Sequence, residues 1–157
     1  MEFIANTLSS TNLSYYTIPV AFFLCMAPNA YAMKLAGKNY DIAHPRRTEE
    51  FCAKDTSLDK ATVNKISRAK AASANGFETI SLYAASIVAA NAAKMPITKL
   101  NKLAVGYCVS RAVYNYVYVG LQDNRKLAGL RPFVWFAGIW IVMTLFVGAG
   151  NALNTLA

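Results

Sequence analysis

Residues 66–93 read ISRAKAASANGFETISLYAASIVAANAA, an alanine-rich run with no proline and a single glycine, Gly76. That composition favours helix, and at about 1.5 Å of rise per residue its length suits a bilayer crossing. The polar residues inside it are the unusual part. Arg68, Asn75, Glu78 and Leu82 follow one another at intervals of seven, three and four, so one helical face carries a charge, an amide and a carboxylate. An ionised group facing lipid at mid-helix costs about 2.5–3.5 kcal/mol. Such residues belong inside a bundle or against a wet cavity, either as a polar lock between helices or as a binding site.

The surrounding chain reads as a small integral membrane protein. Its 157 residues are enough for one domain, 55% of them are hydrophobic, and mean hydropathy is positive. Lys and Arg total 16 against 8 acidic residues. A basic balance can mark a nucleic-acid binder, but here the cations flank long apolar runs, so membrane topology is the more economical cause and no nucleic-acid partner is implied. Four helical spans are expected, at about 15–35, 60–93, 100–121 and 131–152. The expected fold is an all-α integral-membrane bundle of four transmembrane helices, one domain over 1–157.

In the first span, Pro19 sits near the start and Pro28 inside, where it should kink or interrupt the helix. A secretory signal is the rival reading, because Ala30, Tyr31 and Ala32 form a small-x-small site. The first residues oppose it, with Glu2 and no Lys or Arg before Tyr15. Gly37 to Thr62 is a long polar connection containing His44, Arg46 and Arg47, read as surface groups. Asp59 is placed to cap the second helix. Lys94 to Lys102 is a short basic turn, which implies an antiparallel neighbour.

In the third span Arg111, Tyr114 and Tyr118 share one face. Tyr107 and Tyr116 fall elsewhere on the circumference and read as interface anchors. Arg111 lies too deep to reach water easily, and Glu78 is its natural partner. The fourth span opens with Arg131 and Pro132, with Trp135 and Trp140 as packing or interface groups. Loops 1 and 3, with the adjoining helix entries, carry twelve of the sixteen cations, and the opposite side holds Lys94, Lys99 and Lys102. The two longer loops should therefore be cytosolic. Cys25, Cys52 and Cys108 lack metal or disulfide spacing, and no phosphate loop or nucleophile elbow is present.

Three short motifs resemble those of the MAPEG family, the membrane-associated proteins of eicosanoid and glutathione metabolism. Arg68, Ala69, Ala71, Ala72, Asn75 and Glu78 look like its second-helix signature. Arg111, Tyr114 and Tyr118 resemble its third-helix pattern, and Arg131 matches an arginine at the head of its fourth helix. Pro45 and Arg46 extend the likeness into the first loop.

The resemblance implies a left-handed four-helix bundle assembled as a homotrimer, with sites between protomers, in an endoplasmic reticulum membrane for a eukaryotic member or an inner membrane for a bacterial one. It also implies glutathione as cofactor and a lipophilic small molecule, taken from the membrane lipid, as substrate. Arg131 would stabilise the thiolate, and Arg68, Asn75, Glu78, Arg111, Tyr114 and Tyr118 would bind the remainder. Three arginines could meet carboxylates or thiolate, Glu78 the amine, and Asn75 and the tyrosines the peptide groups.

The chain departs from glutathione-using relatives at Ala71, where they carry a second arginine, and at Ser67, where they often carry Glu. Pro132 stands where eicosanoid-type enzymes often offer a hydroxyl. These positions are closer to the bacterial-like and fungal branch. Three functional classes follow: a glutathione-dependent transferase, peroxidase or isomerase; a cofactor-free isomerase or cyclase using Glu78, Arg111 and the tyrosines; and a non-catalytic lipid-binding or scaffold protein.

Overall fold

The computed structural model describes residues 10–155, so the first part of the polar start and the last two residues of the single-domain reading lie outside the described residues. The described chain is helical, with no strand among its described residues. A 3-10 turn, Ser14–Tyr16, leads into α1 (Thr17–Ala36); α2 (Thr48–Lys54) lies in the first connection. The long helices α3 (Lys60–Ala92) and α4 (Ile97–Tyr116) follow, the latter running into a π turn at Val117–Leu121. The last helix, α5, spans Leu130–Asn154.

Helix α2 was not legible as an element within the polar connection. It carries Glu49 and Glu50 in its first turn and Lys54 in its last, the arrangement that complements the helix dipole. Its Cys52 is fully buried beside Ala32, Ala36, Ile66 and Ala69. The surface reading of the neighbouring groups agrees with the structure: His44 is exposed with its ring Nδ1 3.0 Å from Asp41, and Arg47 pairs with Glu50 at 3.0 Å.

At 33 residues α3 is about 50 Å long, with Lys60 and Lys65 in its first two turns. Asp59 caps it, Oδ1 accepting from the Thr62 amide at 2.6 Å. The helix ends in a Schellman motif. The Met95 amide donates to the Ala90 carbonyl and the Lys94 amide to the Asn91 carbonyl, with Lys94 left-handed at φ 55°.

Helices α1 and α3 pack through small residues. Ala21, Cys25, Pro28, Ala32 and Ala36 line the buried stripe of α1 at three- and four-residue intervals, against Ala69, Ala72, Ser73 and Gly76 of α3. The approach is closest at Gly76, where an added Cβ would lie 2.8 Å from Cys25 Sγ and 3.2 Å from Cys25 Cα.

Pro28 does not interrupt α1, which is helical through Ala36. Proline lacks the amide that the Leu24 carbonyl would normally receive one turn on. The Asn115 side chain of α4 donates to that carbonyl at 2.8 Å, and Ser73 Oγ donates to the Cys25 carbonyl at 2.7 Å. Neighbouring helices thus satisfy the backbone that proline leaves open.

Tyr107 is a core residue rather than an interface anchor. It is 1% exposed and stacks on Tyr83 with ring centroids 3.7 Å apart, its hydroxyl 3.3 Å from Thr79 Oγ1. A phenol can sit there because the neighbouring helix supplies a hydroxyl for it. Tyr116, at 66% exposure, does face outward.

Helix α1 with its flanking turns (Ser14–Asn39) and α5 with its preceding turn (Arg125–Asn154) are long and apolar enough to cross a membrane. Their exposed Phe22, Phe23, Phe133, Phe136 and Trp140 form an apolar exterior. Helices α3 and α4 are comparably long but more polar, because they carry Arg68, Asn75, Glu78 and Arg111.

Candidate functional site

Arg111 is 3% exposed in the C-terminal third of α4, with its guanidinium carbon 4.4 Å from the Tyr114 ring centroid. It passes α5 at Gly138, where an added Cβ would lie 3.8 Å from Arg111 Cδ. Its Nη2 is buried without a hydrogen-bond partner. The expected pairing with Glu78 is not formed: Arg111 is turned inward against Tyr114 and α5, whereas Glu78 is on the exposed side of α3.

Tyr114 is fully buried; its hydroxyl makes no hydrogen bond of good geometry, and the Arg131 side chain is the polar group that approaches it. Its ring lies 5.7 Å from that of Tyr118, tilted by 59°. Arg131, at the head of α5, places its guanidinium 4.3 Å from the Tyr118 centroid. The four residues therefore form a ladder of cation, ring, ring and cation, joining the C-terminal part of α4 to the start of α5. Tyr118 sits on the π turn that closes α4, a helix irregularity frequent at functional sites.

From α3, Asn75 donates Nδ2 to Glu78 Oε2 at 3.3 Å, which leaves Asn75 Oδ1 buried without a donor. Arg68 pairs instead with Asp123 of loop 3, Nη2 to Oδ1 at 2.8 Å, and its Nε is buried without an acceptor. Asn75 and Arg131 meet at one cavity of about 570 Å³, whose wall is completed by Gln122, Ala128, Pro132 and Trp135. Trp135 Nε1 is the fifth buried polar atom without a partner. A separate groove of about 300 Å³ lies along the outer face of α5 at Trp140, Met143 and Val147, and is mainly apolar.

The structure thus brings Asn75 and Arg131 to one cavity, and Arg111, Tyr114, Tyr118 and Arg131 into one ladder. Arg68 and Glu78 do not line that cavity and are outside the ladder; Asp123 holds the one and Asn75 the other. Sequence reasoning missed Gln122, Asp123 and Trp135. For Trp135 a signal was available, since it stands one helical turn after Arg131.

Residues 15–151 match the sequence model of the MAPEG family. The chain belongs to that family. No curated protein and no solved structure matches it. Membership makes this a membrane protein of a family that includes glutathione-dependent enzymes and non-catalytic members.

In this MAPEG chain Lys70 does not supply the cation absent at Ala71. Its Nζ donates to the Pro45 carbonyl at 3.2 Å and lies 3.7 Å from Glu49, which draws it toward the first loop. Cys25, Cys52 and Cys108 are free thiols. The described residues contain no group of three or more His, Cys, Asp or Glu suited to a metal.

Proposed function

We propose that this MAPEG protein is a glutathione-dependent membrane enzyme, a transferase, peroxidase or isomerase acting on a lipophilic small molecule. One observation carries the reading. Every buried side-chain polar atom lacking a partner among the described residues belongs to Arg68, Asn75, Arg111, Tyr114 or Trp135. Buried polar groups are normally hydrogen-bonded, and each one left open costs about 1–3 kcal/mol. Two of these residues, Asn75 and Trp135, line the cavity with Arg131, and Arg111 and Tyr114 join it through the ladder; that concentration supports a site built for a polar guest.

The donor set fits glutathione, which has two carboxylates, an amine, two peptide groups and a thiol. Arg131 and Arg111 are cations for its anionic groups, Arg68 can exchange Asp123 for a ligand carboxylate, and Glu78 is available to the amine. Asn75, Tyr114 and Tyr118 remain for the peptide groups. When bound, glutathione supplies a sulfur nucleophile. Arg131 lowers the thiol pKa from its ordinary value of about 8.5 by favouring the charged form. The arginine acts by electrostatics, and proximity to lipid brings the acceptor to the site.

The same reading takes all four long helices as spans. The protein is a homotrimer in the endoplasmic reticulum membrane, with loops 1 and 3 cytosolic and the exposed edge at Glu78 facing a neighbouring protomer. The test is thiolate absorbance on mixing glutathione with the detergent-solubilised protein. A saturable signal, lost in Arg131→Ala, is expected; a signal unchanged in that variant removes Arg131 from its role.

The engagement of Lys70 by Pro45 and Glu49 favours a second reading, because a chain with one cation fewer holds glutathione less well. In it the protein is a cofactor-free isomerase or cyclase, with Arg111 and Tyr114 as electrostatic and acid-base groups. Turnover of a lipophilic substrate without added thiol distinguishes the two.

A further inference from the structure

Trp135 follows Arg131 by one helical turn on α5, so the two side chains share a face and line the same cavity. The indole ring is packed edge-on against Phe136, with centroids 5.1 Å apart. Its Nε1 is buried, yet no acceptor reaches it among the described residues. Buried tryptophans usually satisfy this N–H. Trp135 lines the cavity, so a group held there is placed to reach that N–H.

The other polar groups of that wall define what is missing. Gln122 already directs Nε2 to the Leu127 carbonyl at 3.3 Å. Asn75 has its amide nitrogen on Glu78 and its Oδ1 without a donor. One helix thus offers a cation and a neutral N–H, while another offers an acceptor. That polarity calls for an anion bonded close to an amide N–H, the arrangement a cysteinyl thiolate has beside its own peptide group.

We infer that Trp135 is the second donor of the anion site headed by Arg131. Its indole N–H and the Arg131 guanidinium hold the ligand sulfur as thiolate, and Asn75 Oδ1 accepts the adjoining peptide N–H. The thiol proton leaves to solvent, so no base is needed in the wall. The inference rests on the glutathione reading. Arg131 attracts any anion at long range, whereas an indole N–H acts only at contact and in one direction. Trp135 therefore selects for charge on the sulfur itself and is a specificity-determining residue.

The experiment compares wild type with Trp135→Phe, which keeps a ring and removes the N–H, in the full-length detergent-solubilised protein. Two readouts are taken: the pH titration of bound thiolate absorbance, and calorimetric affinity for glutathione sulfonate against S-methylglutathione. Trp135→Phe should raise the apparent thiol pKa and reduce the thiolate fraction at neutral pH by roughly three- to tenfold. Affinity for the sulfonate should fall by a similar factor, with that for S-methylglutathione changed by less than about twofold.

Equal losses for both ligands would assign Trp135 to packing and overturn the inference. So would binding with an unchanged thiol titration, while leaving the glutathione reading intact. Failure of wild type to bind any of the three ligands would remove both. If Trp135→Phe does not fold, incorporating the benzothienyl analogue of tryptophan at position 135 removes only the N–H and gives the same comparison.

Discussion

At the residue scale, the candidate site combines buried groups that make no hydrogen bond of good geometry with an arginine whose partner is exposed. Arg68 holds Asp123 across the mouth of loop 3, with Asp123 about half exposed (48%), so the pair is accessible to exchange. An ion pair of this exposure is worth about 0–1 kcal/mol, which a ligand carboxylate can exceed. Asp123→Asn should therefore tighten glutathione binding by about two- to fivefold, read by calorimetry. Weaker binding in that variant would mean that Asp123 orients Arg68 rather than occupying it. The spacing of Arg68, Asn75, Arg111, Tyr114, Tyr118 and Arg131 was legible in the chain, because a polar group inside an apolar run must be held by something, and helical intervals show which of them share a face. The absence of an Arg111–Glu78 pair was not. Helix periodicity assigns residues to faces but cannot say which way each helix is turned toward its neighbours, and here Arg111 faces α5 while Glu78 faces outward.

At the scale of elements, the helices are held by close approach and by shared polar bonds. Gly76→Ala gains up to about 1 kcal/mol of helix propensity, but its Cβ meets Cys25, and overpacking of this kind costs about 1–3 kcal/mol. The variant should unfold at lower temperature, and Cys25→Ala should restore part of the loss by removing the sulfur. No loss in Gly76→Ala would show that α1 and α3 can separate freely. Asn115→Leu leaves the Leu24 carbonyl without its donor and should cost about 1–3 kcal/mol. Pro28→Ala returns a backbone amide to position 28, so the double variant should recover much of that cost in a thermal-unfolding cycle. Helix existence and order were readable from apolar runs, Asp59 and the basic turn at 94–102. The continuity of α1 through Pro28 was not, since the amide that satisfies the Leu24 carbonyl comes from Asn115, 91 positions beyond Leu24.

At the scale of the whole molecule, the polar connection between α1 and α3 is structured by charge. Ser57 and Asn39 donate to Asp55 and hold its carboxyl well below the ordinary range, while Arg47 and Lys54 bring Glu50 down to about 2. Carboxylates depressed in the folded state contribute above their ordinary pKa near 4, and the contribution fades as pH falls toward the folded value. Amide exchange over 39–57, corrected for intrinsic rates, should rise between about pH 4.5 and pH 2 while α3 stays protected. Equal loosening of α3 would contradict a local origin. For topology, a glycosylation acceptor placed at 122–129 should remain unmodified in microsomes and one appended to the C-terminus should be modified; the reverse pattern would invert the membrane orientation. The family was legible in three motifs because they carry the polar groups of the long helices. The cavity was not, because it needs Gln122, Ala128 and Trp135 to close around Asn75 and Arg131.

The most direct test is calorimetric titration of glutathione into the purified, detergent-solubilised protein, alongside Arg131→Ala. Saturable heat in wild type, with binding lost in the variant and its thermal unfolding unchanged, is the expected result. No heat and no shift in thermal unfolding at millimolar glutathione would contradict the assignment of these unpartnered side chains to a polar guest.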